Sequence, residues 1–155
     1  MISHEITNIK AFMNCLFSQT TFDSFYLIEA TVKMGITHHI DGRINKDFYD
    51  SDQMINRDYC LWKEGKGHLF HIIKGVRLPV SMKIILGLNP SLISDLVRRS
   101  GSFREDEITG MYINILFQPD RLTLTAGISC TCFTLDKSLE DVFGAYITEC
   151  LLEAF

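Results

Sequence analysis

Five cysteines and five histidines are the side chains of this 155-residue chain best suited to hold a metal or to attack a substrate, and their spacing is uneven. The stretch "ISCTCFTL" (128–135) sets Cys130 and Cys132 two residues apart. On a strand that spacing puts both thiols on one face. Two thiolates are half of a closed zinc site, and the chain has no second CxC or CxxC to supply the other half. Counted from Leu122, the same face carries Leu124, Ala126 and Ile128, so burial as small apolar side chains also accounts for both cysteines. His68 and His71 stand three apart with Cys60 upstream, which on a helix brings two imidazoles to one face and would begin a metal site. The lysines around them oppose a second positive ion. His38 and His39 are adjacent and point to opposite sides of a strand. There is no GxSxG, and Gly65-Lys66-Gly67-His68 lacks the spacing of a phosphate loop. The carboxylates at 23, 29, 41, 47, 50 and 52 show no paired pattern. No catalytic residue and no cofactor is therefore expected. A metal-binding or enzymatic alternative rests on Cys130, Cys132, His68 and His71.

These residues must be held by a fold of ordinary composition. With 46% hydrophobic and 22% charged residues the chain sits at the globular average, and its length suits one domain. An odd number of scattered cysteines fits reduced thiols in the cytoplasm. No run approaches the roughly 20 apolar residues of a membrane span, so no membrane contact is expected. The net charge of −4 argues against nucleic-acid binding by the chain as a whole. Between residues 57 and 83, however, Arg57, Lys63, Lys66, Lys74, Arg77 and Lys83 face only Asp58 and Glu64. With Lys10, Arg98 and Arg99, the residues Lys63, Lys66, Lys74 and Arg77 are the candidate phosphate contacts of a nucleic-acid-associated alternative.

Periodicity predicts the elements. A strand over residues 2–6 precedes a helix capped by Thr7 or Asn8, with Ile9, Phe12, Met13, Leu16 and Phe17 as its apolar stripe. Alternation from Phe25 to Met34 predicts a strand burying Tyr26, Ile28, Ala30, Val32 and Met34, and "ITHHIDGRI" its return partner. A short helical turn is expected in "NKDFYDSDQMIN" and a brief helix in "HLFHIIKG". Val80, Met82, Ile84, Leu86 and Leu88 alternate as a strand. Asn89, Pro90 and Gly101 bracket a helix whose buried stripe is Leu92, Ile93, Leu96 and Val97. "QPDR" turns between two more strands, and a helix from Leu139 to Phe155 closes the chain. The expected architecture is α+β: a curved, mainly antiparallel sheet with helices packed on it, a core over residues 1–135 and a C-terminal helix over 136–155.

Across nearly the whole chain, "FDSFYLIEA", "HIDGRINKDFY", "WKEG", "IIKGVRLPVSMKI" and "FTLDKSLEDVF" resemble an uncharacterised family of small bacterial proteins from Clostridia-type Firmicutes. The order of strand, helix, hairpin, "PVSMKIILGLN", "PSLISDLVRRSG" and "YINILFQPDRLTLTAGISCTCFTLD" is similar to one domain of a DNA sliding clamp. The first resemblance implies no activity; the second implies a clamp-like topology and a role in assembly. A non-catalytic binding or assembly module follows, with a protein partner or a homo-oligomer as its counterpart and nucleic acid as the alternative.

Overall fold

The computed structural model describes residues 2–53, 55–101, 104–153 and 155; Met1, Met54, Ser102, Phe103 and Ala154 lie outside the described residues. Strand β1 (Ile2–Ile6) leads into helix α1 (Ile9–Ser18), whose first turn is closed by the Asn8 side chain accepting the Ala11 N–H at 3.2 Å. β2 (Tyr26–Lys33) and β3 (Thr37–Asp41) form a hairpin, and a connection with one short helical turn over Lys46–Phe48 reaches α2 (Trp62–Ile73). β4 (Ser81–Gly87) and α3 (Pro90–Ser100) follow. The Asn89 side chain accepts the Leu92 N–H, and Gly101, at φ 68°, lets the chain leave the helix. β5 (Ile108–Gln118), β6 (Arg121–Cys130) and α4 (Ser138–Tyr146) complete the chain.

The strands make one six-stranded antiparallel sheet in the order β1-β6-β5-β4-β2-β3. Leu27, Ala30, Val32, Met82, Ile84, Leu86, Met111, Ile113, Ile115, Leu122 and Leu124 turn inward and join residues of all four helices in a common apolar core. The architecture is α+β. Although strand, helix and hairpin recur in order, the pairing does not repeat. α3 links the neighbouring strands β4 and β5, whereas α1 carries the chain from the edge strand β1 past three strands to β2.

Aromatic rings fasten α1 to its neighbours. Phe12 meets Phe22 edge-on at 5.8 Å and Phe155 at 5.5 Å, while Phe17 packs beside Trp62 at 5.5 Å. The Trp62 indole N–H donates to the Leu16 carbonyl at 2.8 Å, satisfying one of the carbonyls that the end of α1 leaves open.

Four local expectations change. A β-bulge between Leu27 and Glu29 shifts the alternation of β2, so that Leu27 rather than Tyr26 and Ile28 enters the core. α2 begins six residues before "HLFHIIKG" does, because the Glu64 carboxylate accepts the Leu61 N–H and closes the first turn. Val80 is exposed: β4 starts at Ser81, and the Val80 N–H reaches the Lys33 carbonyl at 2.8 Å. The last helix ends its α-helical part at Tyr146 and widens into a π turn over Ile147–Leu151, which keeps Ile147 and Leu151 buried while Cys150 faces out.

Candidate functional site

The cysteines do not form the buried pair expected of them. β6 ends at Cys130, which is half-buried opposite Ile108 on β5; Cys132 lies beyond the strand and is exposed. The alternation that made both thiols core residues stops two residues early: Thr131 makes the last link to the neighbouring chain, from its N–H to the Glu107 carbonyl, and the chain then bends out of the sheet. His68 and His71 are exposed on α2, which packs on α1 and β2, away from the β5–β6 ladder that carries Cys130. Among the described residues no three of His, Cys, Asp and Glu gather closely enough to hold a metal ion. No helix among them is long and apolar enough to cross a membrane.

Thiol chemistry should rank accordingly. In native protein at mildly alkaline pH, iodoacetamide modifies the exposed Cys132 and Cys150 first. Burial, followed by the nearby Cys132 and Glu107, raises the Cys130 pKa above the ordinary thiol range, so less thiolate is present at a given pH and alkylation lags. Burial and Glu64 do the same to Cys60. Buried Cys15, whose thiol donates to the Thr21 hydroxyl, reacts only on unfolding. A mass-spectrometric time course over a range of pH reads the order directly.

The basic candidates divide into groups. Lys66 donates to Asp23 at 2.6 Å and to the Gln19 carbonyl at 2.8 Å, tying α2 to the end of α1. Arg98 and Arg99 at the end of α3 both meet Asp95, at 2.6 and 3.8 Å. Lys63 is exposed in the first turn of α2. Lys10 lines, and Lys74 and Arg77 adjoin in sequence, a feature at one end of the sheet that no sequence motif marks.

That end is defined by the row of paired residues Ile6–Leu122, Leu122–Phe117, Phe117–Met82, Met82–Val32 and Val32–His38. Beyond the row, Ile9, Lys10 and Met13 of α1, Ile73 at the end of α2, Leu78 and Pro79 of the following loop, Met82, Phe117 and the turn residue Pro119 enclose a groove of about 400 Å³. Lys10 is the one charged side chain in its lining. Leu78 keeps 66% of its surface exposed; Val76 and Val80 on either side of it in the chain are fully and 67% exposed, and Ile36, in the β2–β3 turn, 70%. The alternation of Val76, Leu78 and Val80 in "GVRLPV" was the available signal; joined to the strand that follows, it reads as core.

At the opposite end the bulge that expels Tyr26 and Ile28 helps to build a cleft of about 290 Å³, with Tyr59, Tyr112, Arg57 and Asn56 also in its wall. Its aromatic residues are partly engaged: the Arg43 guanidinium lies 5.3 Å from the Tyr59 ring centre and donates to its hydroxyl at 3.2 Å. No cysteine, serine or histidine lines this cleft, the groove or the open depression around Lys83, Asn114 and Thr125 on the other sheet face. Apolar recognition at the groove is the chemistry these surfaces best support.

Neither the curated proteins nor the solved structures contain a match to this chain. One family model does match, over residues 15–154, and the chain belongs to that family: DUF5721, a family of unknown function.

Proposed function

We propose that this protein is a non-catalytic binding module that docks a segment of a protein chain in the groove between α1, the end of α2 and the β5–β6 turn. The observation that carries the reading is an apolar groove at one end of the sheet, lined by Ile9, Met13, Ile73, Leu78, Met82 and Phe117, in which Leu78 keeps 66% of its surface exposed. Apolar side chains scattered singly over a surface are ordinary, whereas a contiguous patch rimmed by charge marks a contact surface. The groove has rigid walls, since α1 is pinned by Trp62 and Phe155 and Met82 and Phe117 belong to the central strands. A preformed site of this kind spares much of the ordering cost of association. Five free cysteines, two of them exposed, fit a cytoplasmic setting.

Selection of random peptides displayed on phage tests the reading. Selected peptides should perturb the methyl resonances of Ile9, Met13, Ile73 and Leu78, and Leu78→Asp should weaken them by about ten-fold or more. Phe48→Asp, at an exposed position in the connection before α2, outside both the groove and the chain that follows β6, should leave them unchanged. Peptides that bind the Leu78→Asp protein as well as the wild type, or that map to the tyrosine cleft, would overturn it.

A further inference from the structure

We propose that the occupant of the groove is the segment 131–137 of a second copy of this chain, so that the molecules associate head to tail. The inference rests on the groove being a docking surface and adds the identity of what docks. The segment follows β6 and carries Phe133 and Leu135, exposed by 91% and 81%, in a stretch outside any helix or strand. Two large apolar side chains spaced i, i+2 project from the end of the molecule opposite the groove. They are the complement that an apolar trough of this size accepts.

Charge favours the same pairing. Lys10 lines the groove, and Lys74 and Arg77 are the chain neighbours of its lining residues Ile73 and Leu78; none of the three has an ion-pair partner among the described residues, while other cations are engaged, as Arg57 is with Glu64 and Lys66 with Asp23. Asp120, next to Pro119, is the one carboxylate in the adjoining turn. At the other end, the backbone of Thr131 is bonded to Glu107 within the turn Glu105–Glu107, where Arg104 offsets part of the charge by meeting Asp106 and Glu107; in the segment itself Asp136 is balanced by Lys137, which meets Glu140. Residues 104–107 still carry three carboxylates against one arginine, so a groove end whose cations are unpaired among the described residues and an apolar projection beside a net acidic turn attract when two copies align in the same sense. Two grooves placed face to face would bring Lys10, Lys74 and Arg77 against their own copies, which disfavours a two-fold contact through this surface.

The segment cannot fill its own groove. β6 starts beside the groove at Arg121 and ends at Cys130; at about 3.3 Å per residue the two ends lie roughly 30 Å apart. Both ends of the segment are also held, by β6 before it and α4 after it. The contact is therefore between molecules. It joins two different surfaces, so each copy keeps a free groove or a free projection until a ring closes or a filament grows.

Sedimentation velocity on the full chain tests this with two exposed single variants. The wild type should gain mass as concentration rises, and raising salt from about 0.05 to 0.5 M should weaken association by about ten-fold. Leu78→Asp and Phe133→Asp should each stay monomeric with an unchanged melting temperature. Their equimolar mixture should form a one-to-one dimer and nothing larger, because one intact groove and one intact segment remain. If Leu78→Asp fails to fold, the charge reversal Lys10→Glu with Arg77→Glu replaces it in the same mixture. A mixture that stays monomeric, or a wild type that is monomeric at every concentration, overturns the proposal. If displayed peptides still map to the groove in that case, the docking surface stands and only the self-docking falls.

Discussion

Trp62→Ala should lower the free energy of unfolding by about 3–5 kcal/mol. Trp62 is fully buried, packs beside Phe17, and is the residue through which the start of α2 grips the end of α1. Truncation removes the ring, opens a cavity that the surrounding strands and helices cannot fill, and strands the Leu16 carbonyl. Against a total stability of about 5–15 kcal/mol for a domain this size the loss is severe. Trp62→Phe separates the two contributions: it keeps most of the apolar surface but not the indole N–H, and should cost about 1–3 kcal/mol. Urea midpoints for both variants, at unchanged slope, give the comparison. Because α1 supplies Ile9, Lys10 and Met13 to the groove, Trp62→Ala should also weaken any ligand bound there. A loss below about 1 kcal/mol for Trp62→Ala would mean that α1 and α2 are not joined as described.

Gly42→Ala and Gly67→Ala should move stability in opposite directions. A Cβ at Gly42 would overlap the Leu27 carbonyl and lie 3.1 Å from the Ile28 carbonyl oxygen, and both neighbours are backbone that the sheet holds in place. Gly42 donates its N–H to the Ile28 carbonyl and accepts the Cys60 N–H, so it cannot retreat without breaking the links between the β2 bulge and the chain entering α2. A cost of about 3 kcal/mol or more is expected, with the tyrosine cleft distorted as well. Gly67 lies in the middle of α2 with nothing within 4 Å of the added methyl, so alanine there should stabilise by about 0.5–1 kcal/mol by removing backbone freedom from the unfolded chain. Thermal melts of the two variants side by side provide the check; a Gly42→Ala protein as stable as the wild type would contradict the close approach of the two backbones.

What could be read from the chain was whatever local interactions decide. α3 is the clearest case: its cap, its first proline and its terminating glycine each act within one turn of themselves, and the helix runs from Pro90 to Ser100 as its residues predict. The β5–β6 hairpin follows from proline in a tight turn, and the stripe of α1 from its spacing. The face of β2 was not legible in the same way, since the bulge after Leu27 is set by pairing with β4 and by the close passage of Gly42. Nor was the fate of Cys132, because alternation says nothing about where a ladder stops.

The groove belongs wholly to this second category. Ile9, Ile73, Leu78 and Phe117 are each unremarkable apolar residues in sequence, and their local patterns are those of core positions. Only the sheet order, which carries α1 from one edge back over the middle and brings the end of α2 beside it, assembles them at one end of the molecule. By itself the sequence determined the class of the fold, most of its helices and strands, and the lack of a local catalytic motif, because short-range periodicity, capping and turn chemistry encode those. The tertiary structure alone decided which apolar residues stay exposed, which lysines and arginines remain without an ion-pair partner among the described residues, and at which end of the sheet they meet. Burial and pairing are properties of neighbours distant in the chain, and no window along it contains them.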